Sequence, residues 1–351
     1  MTRFRRPRTA FCRAPVSDRR LARRPAHRRL EVRLTRGGGA VETSPVPGFP
    51  ILSVLGSGGF STVYRALQES IGREVALKID HRVLIDEGDR ARFFAEVRAA
   101  GQVSGHPNVI DIHDAGITAD GRAYLVMELC PAGSLADYLR RQGPMPLVDV
   151  LDVGVAIADA LAAAHRVGVV HRDVKPANVL YDRYGHPELA DFGLAARYDP
   201  TTESTSTLEL LTPAYAAPEM FWSRRPTPAV DVYGLSATLY ALLTGRPPRW
   251  PSGEANLTDA EIEALHSAWI PSISGVPESV VGVLRAGMAR EPEDRLPTAG
   301  TLRDALRAER SALGRASERF SDPGAPGADH DLADQPTARL PRLRPTVGRE
   351  G

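Results

Sequence analysis

Of the 44 basic residues in this chain of 351, only Lys78 and Lys175 are lysines, and each sits among residues able to handle phosphate. Arginine is a planar fork and lysine a compact point charge on a flexible stem, so a composition that favours Arg elsewhere marks two places where a single ammonium is required. Lys175 lies in His171-Arg172-Asp173-Val174-Lys175-Pro176-Ala177-Asn178. There Asp173 can accept a hydroxyl proton, Lys175 can neutralise a moving phosphoryl group, and the Asn178 amide oxygen can ligate a hard cation. Thirteen residues after Asn178, Asp191-Phe192-Gly193 supplies an anionic oxygen suited to Mg²⁺. Lys78 closes Val75-Ala76-Leu77-Lys78. Glu96 could pair with it and aim the ammonium at phosphates, with Glu87 as the rival carboxylate. Upstream, Gly56-Ser57-Gly58-Gly59-Phe60-Ser61-Thr62-Val63-Tyr64 is a turn whose glycines let backbone amides approach phosphate oxygens. It lacks the Gly-Lys-Ser/Thr of a Walker loop and does not open a helix as a dinucleotide-binding turn would.

These residues need a scaffold, and the pattern around them supplies one. Order begins after Gly37-Gly38-Gly39 and Pro45, Pro47 and Pro50. From Ile51 the periodicity is β, with strands about Thr62-Val63-Tyr64, Val75 to Ile79 and Ala123 to Met127, the last entered through an Ala119-Asp120-Gly121 turn. A helix is expected over 89–103, with Phe93, Val97, Ala100 and Val103 on one face. After Met127 long helices take over, at 147–166, 231–243 and 297–310, with Thr258-Asp259-Ala260-Glu261 capping another. The fold class is α+β: a small β-rich half, a larger helical half, and the chemistry at their junction.

Apolar and charged contents of 42% and 25% are those of a globular protein able to bury a core. The two cysteines, Cys12 and Cys130, exclude a disulfide framework and fit a reducing cytoplasm. No apolar run reaches the roughly eighteen residues of a membrane helix. Residues 1–44 carry thirteen Arg against Asp18, Glu31 and Glu42, a net of +10, so the remainder carries −9 against the overall +1. The arm has no aromatic interleaving, so it is read as a disordered extension and no nucleic-acid role is assigned to it.

The ordered set of motifs resembles the protein kinase family, and most closely the eukaryotic-like Ser/Thr kinases of bacteria. The resemblance covers roughly residues 49–310 and implies a bilobal kinase fold, with an extension over 1–47, an N-lobe over 48–130, a C-lobe over 131–312 and a disordered tail over 313–351. It implies ATP and Mg²⁺ as cofactors and protein Ser/Thr hydroxyls as acceptors. Leu55, Val63 and Ala76 would roof the adenine and Leu180 would floor it. Gly56, Ser57, Gly58 and Gly59 would cover the phosphates. Met127 would be the gatekeeper, the Glu128 carbonyl and Cys130 amide would bond adenine, and Ser134 would meet the ribose. Lys78 and Glu96 would pair beside the phosphates. Asp173 would be the catalytic base, Lys175 the phosphate-stabilising cation, and Asn178 and Asp191 the metal ligands. Glu219 of Ala217-Pro218-Glu219 would pair with Arg295, and Asp231 would hold the catalytic loop through backbone amides.

Ser61 departs from the family's third glycine, and Leu211 stands where a Gly commonly precedes Thr212. Neither removes a catalytic group. Lys175 followed by Pro176, with Thr212, is the Ser/Thr rather than Tyr pattern. Thr201-Thr202-Glu203-Ser204-Thr205-Ser206-Thr207 is expected to be autophosphorylated and ordered against Arg172, which would require two copies to meet transiently. Cys130 is read as a space-filling residue rather than a redox switch. A pseudokinase scaffold would have lost one of Lys78, Glu96, Asp173, Asn178 or Asp191, and all are present. A small-molecule phosphotransferase would lack the Ala-Pro-Glu end of the segment, which this chain has.

Overall fold

The computed structural model describes residues 44–192, 213–221, 226–251 and 257–320. The Arg-rich arm, Gly193, the Ser/Thr-rich stretch, Leu211, Thr212 and the end of the C-terminal tail lie outside them.

Five strands, β1 (Ile51–Ser57), β2 (Ser61–Gln68), β3 (Arg73–Val83), β4 (Ile112–Ile117) and β5 (Arg122–Met127), form an antiparallel sheet in the order β1-β2-β3-β5-β4. Strand side chains alternate between faces, and β3 uses both. Val75, Leu77 and Ile79 enter one core with Val46, Phe49, Ala66 and Val126. Ala76 and Lys78, on the other face, look into the junction; Ala76 packs with Ile110, Met127, Leu129, Cys130 and Ala190. Thr118 and Gly121 close the turn between β4 and β5, with Gly121 at φ +84°, in the left-handed conformation that favours glycine.

Helix α1 (Glu87–Gly101) starts two residues earlier than its apolar pattern indicates. Asp86 caps it by accepting from the Asp89 amide at 2.7 Å, so Glu87 is its first residue and pairs with Arg90. Beyond β5 come α2 (Leu135–Gln142), α3 (Leu147–Arg166), α4 (Ala229–Thr244), α5 (Asp259–Ser267), α6 (Glu278–Gly287) and α7 (Ala299–Phe320), with a hairpin of β6 (Val179–Tyr181) and β7 (Pro187–Leu189) between α3 and α4. Helices α2 and α6 are additional to those anticipated. Ser134 starts α2 through a reciprocal capping box with Asp137.

Helix α4 is buried without interruption from Val230 to Leu243 and is the axis on which the helical half is built. Each fully buried leucine there, such as Leu239 or Leu242, contributes roughly 1.5–3 kcal/mol. Gly245 stops the helix in the left-handed conformation (φ +79°) and donates to Ala241. Helix α7 continues to Phe320 instead of ending near residue 310 or giving way to tail at 313. No proline interrupts it before Pro323, and Leu313 adds to the apolar stripe of Leu302 and Leu306 against the core.

Candidate active site

Helix α3 delivers the catalytic stretch. It ends at Arg166, Gly168 turns the chain with φ +79°, and Val169 and Val174 anchor the loop in the core. Asp231, at the start of α4 and fully buried, then fixes the loop's backbone. Its Oδ2 accepts from the His171 amide at 2.8 Å and its Oδ1 from the Arg172 amide at 2.7 Å. His165 Nε2 lies 2.7 Å from the same Oδ2, a third contact that the motif reading did not include. Arg172 takes φ +71° and Asp191 φ +65°, conformations uncommon for residues with a Cβ and concentrated at functional sites. His171 is fully buried, with Nε2 2.8 Å from the Ala190 carbonyl and Nδ1 3.3 Å from the Asp173 amide. A carbonyl can only accept and an amide only donates, so the ring carries its proton on Nε2. Phe192 packs edge-on against it at 4.7 Å. One imidazole therefore joins the strand carrying Asp191 to the loop carrying Asp173.

The six polar groups that could do chemistry meet around one cavity of about 350 Å³, lined by Lys78, Glu96, Asp173, Lys175, Asn178 and Asp191 together with Gly58 and Gly59. Asp173 Oδ2 sits 2.7 Å from Lys175 Nζ and accepts from Asn178 Nδ2 at 2.9 Å. Asn178 Nδ2 also donates to the Asp173 carbonyl at 2.8 Å. With its amide nitrogen committed twice, Asn178 keeps Oδ1 as the acceptor for a cation. Asp191 is a second hard oxygen donor on the same cavity, so the pair fits a Mg²⁺ ion, which prefers carboxylate and amide oxygens. Burial pushes the Asp191 carboxyl upward, but the Lys78 ammonium, and behind it Lys175, outweigh it and hold the group below the usual carboxylate range. At Gly56 and Gly59 an added Cβ would meet no described atom within 4 Å, leaving open space where phosphate would approach the backbone.

The partner that the structure gives Lys78 is Asp191. The Lys78 Nζ donates to Asp191 Oδ1 at 2.5 Å. Asp191, whose backbone is left-handed (φ +65°), meets Lys78 from the end of β7. Glu96 lines the same cavity from α1.

The residues expected around adenine gather as one apolar group, with Val63 and Leu180 packed on Ala76, Met127 and Cys130. Leu55 is half-exposed at the end of β1. Ser134, expected at the ribose, caps α2: its hydroxyl donates to Asp137 Oδ2 at 2.8 Å and accepts from the Asp137 amide. Glu188, which the motifs gave no reason to single out, lies buried behind the connection between the lobes, where Cys130 Sγ donates to its Oε2 at 3.5 Å. Burial and the facing Glu128 push its carboxyl up to about 7. Burial likewise raises the Glu128 carboxyl, and burial with Glu188 raises the Cys130 thiol far above its ordinary range. The buried thiol carries no reactive-cysteine signature.

Below the cavity, Glu219 and Arg295 pair as anticipated, in a bidentate contact with both bonds at 2.6 Å. The remaining Arg295 N–H groups donate to the carbonyls of Ala289, Ala229 and Arg290, so all five donors of a fully buried guanidinium are satisfied.

Comparison with known proteins agrees with this geometry. Residues 49–306 match the family model described as protein kinase domain. The chain is 41% identical over 263 residues to the serine/threonine-protein kinase PknK of Mycobacterium bovis, covering 74% of this chain and 23% of that protein. It is 39% identical over 278 residues to serine/threonine-protein kinase PkaA of Streptomyces coelicolor, covering 74% and 49%. With serine/threonine-protein kinase PknL of Mycobacterium tuberculosis it shares 37% over 243 residues, covering 69% and 60%. The chain thus spans between about a quarter and three fifths of these relatives.

Proposed function

The chain belongs to the protein kinase domain family, and from that premise we propose that it transfers the γ-phosphoryl group of ATP to Ser/Thr hydroxyls of proteins. The observation that carries the proposal is the convergence of Lys78, Asp173, Lys175, Asn178 and Asp191, drawn from β3, the catalytic loop and the end of β7, on one cavity. Scaffold relatives have no need of the whole set.

In this reading Asp173 orients the acceptor hydroxyl and takes its proton. Lys175, already 2.7 Å from the Asp173 carboxylate, is placed to neutralise charge on the phosphoryl group as it moves. Asn178 and Asp191 would hold Mg²⁺, whose charge neutralises phosphate oxygens when bound. Incoming phosphate would draw Lys78 away from Asp191, leaving the carboxylate to the cation and opening the way for Glu96 to orient the ammonium. The apolar group of Val63, Ala76, Met127, Cys130 and Leu180 would hold adenine against the backbone of Glu128 and Cys130, while Gly56 to Gly59 cover the phosphates and Leu55 caps the base. Lys175 before Pro176, and the serine/threonine-protein kinases among the relatives, favour Ser/Thr over Tyr acceptors.

The substrates are proteins, among them a second copy of the chain that it meets transiently to phosphorylate Thr201 to Thr207. The compartment assigned is the cytoplasm, where Cys130 stays a free thiol. The test is transfer of labelled γ-phosphate, with Mg²⁺, to the protein itself and to a basic acceptor protein, followed by phosphoamino-acid analysis. Label on phosphoserine and phosphothreonine supports the proposal. Nucleotide binding without any transfer would refute it in favour of a scaffold. Alanine at all of Thr201, Thr202, Ser204, Thr205, Ser206 and Thr207 should lower activity; unchanged activity refutes the autophosphorylation step.

A further inference from the structure

Helix α5 turns its inner face toward the residues that close the substrate-facing segment. Ile262 is buried there, and one helical turn on, at the position where the stripe calls for another apolar side chain, stands His266, 6% exposed. Burying an imidazole costs free energy unless its polar atoms are satisfied. Here His266 Nδ1 lies 2.8 Å from the Ile262 carbonyl oxygen of its own helix. Nε2 lies 3.2 Å from the carbonyl oxygen of Ala216, which immediately precedes Ala217-Pro218-Glu219.

Both ring nitrogens therefore face acceptors. A neutral imidazole carries one N–H, so either tautomer turns a nitrogen lone pair toward a carbonyl oxygen; the imidazolium donates to both. We propose, building on the kinase reading above, that His266 is a positioning residue for the protein acceptor, and that its doubly protonated ring ties Ala216 to α5 and so stiffens the segment that receives the acceptor.

The groups facing the ring come from every element around it. From α4 comes Tyr233, its ring centroid 6.0 Å away. The segment end contributes Glu219, already committed to Arg295, and the Phe221 ring at 5.3 Å. From the turn after α4 comes Arg249, which donates to the Ala268 carbonyl and, at 3.5 Å, to the Tyr233 hydroxyl. On α5 itself Glu263 is paired with Arg290. Burial pulls the ring's proton affinity below that of an ordinary histidine, and Arg249 adds to this, while the two carbonyls and Glu219 oppose them. Near neutrality the ring is then uncharged and keeps the shorter contact to Ile262. Acidification adds the tie to Ala216.

The test measures the KM of a serine peptide lacking histidine between about pH 5.5 and 7.5, in the wild type and in His266→Leu, which suits the apolar stripe. One added hydrogen bond predicts a wild-type peptide KM that rises about 2- to 10-fold with pH across this range. The KM for ATP should not follow it, and the dependence should flatten in His266→Leu. In parallel, ¹⁵N spectra of the His266 ring in the full chain should show both nitrogens protonated near pH 5.5. The same peptide-KM slope in His266→Leu, or a ring that stays singly protonated at that pH in the folded protein, overturns the proposal. If the wild type transfers no phosphate at any pH, the kinase reading falls, and the ring spectra alone decide whether this site binds the second proton.

Discussion

Substituting Glu188 by Gln should make the protein more stable, and increasingly so as pH rises. The carboxyl is 7% exposed, shares its surroundings with Glu128, Asp182 and Asp111, and receives a contact only from the weak thiol donor of Cys130 among the hydrogen bonds of described residues. Its folded pKa is about 7 against 4.5 for the free side chain. Because the folded value is the higher one, the group's contribution is fully present below about pH 4.5 and is lost as pH climbs through about 7. At about 1.4 kcal/mol per unit, the whole loss is on the order of 3 kcal/mol, of which about 2 kcal/mol falls between pH 5.5 and 8. Gln has the shape of the protonated acid and cannot ionise. The stability difference between Glu188→Gln and the wild type should therefore grow by about 2 kcal/mol from pH 5.5 to 8, or about 4–8 °C in Tm for a domain of this size. Urea unfolding at the two pH values measures it, and any fixed cost of the substitution cancels in the comparison. Parallel curves, with the same difference at both pH values, would refute the placement of an ionisable carboxyl in this acidic, buried surrounding.

Replacing Arg295 by Leu leaves Glu219 as an uncompensated buried charge and should cost about 3–5 kcal/mol in urea unfolding, where a loss under 1 kcal/mol would contradict the pairing. A Cβ at Gly287 would stand 2.0 Å from Ser236 Oγ and 2.9 Å from its Cβ, so Gly287→Ala should destabilise the packing of α6 on α4 by about 1–3 kcal/mol, visible as a lowered Tm. Native Cys130, with its thiol pushed far up by burial and Glu188, should resist iodoacetamide at neutral pH until denaturant is added, as followed by mass spectrometry.

Much of the molecule was legible because its motifs are local and its helices periodic. The residues bounding α3 and the buried run of α4 follow from apolar spacing, and the Glu219–Arg295 pair and the grip of Asp231 on the loop appear where the family resemblance placed them. What was not legible depends on distance in space. The sequence offers Lys78 two carboxylates, Glu96 and Glu87, whereas the one its ammonium meets in the folded chain is Asp191, 113 residues away. The role of Ser134 as the cap of α2 rests on its three-residue spacing to Asp137 and shows only once α2 exists. Glu188 looks like a surface residue in one dimension, and nothing in the sequence names the partner of His266. Their meaning comes from Cys130 and from the Ala216 carbonyl, which only the folded chain sets against them.

The central claim is that Asp173 acts on the acceptor hydroxyl while other residues of the same cavity hold the nucleotide. The most direct measurement is the single-turnover rate of phosphoryl transfer from ATP by the wild type and by Asp173→Asn, each paired with its nucleotide affinity. The rate should fall by at least about 100-fold, with the affinity for ATP and Mg²⁺ held within about threefold. An Asp173→Asn protein that transfers phosphate at the wild-type rate would contradict the account.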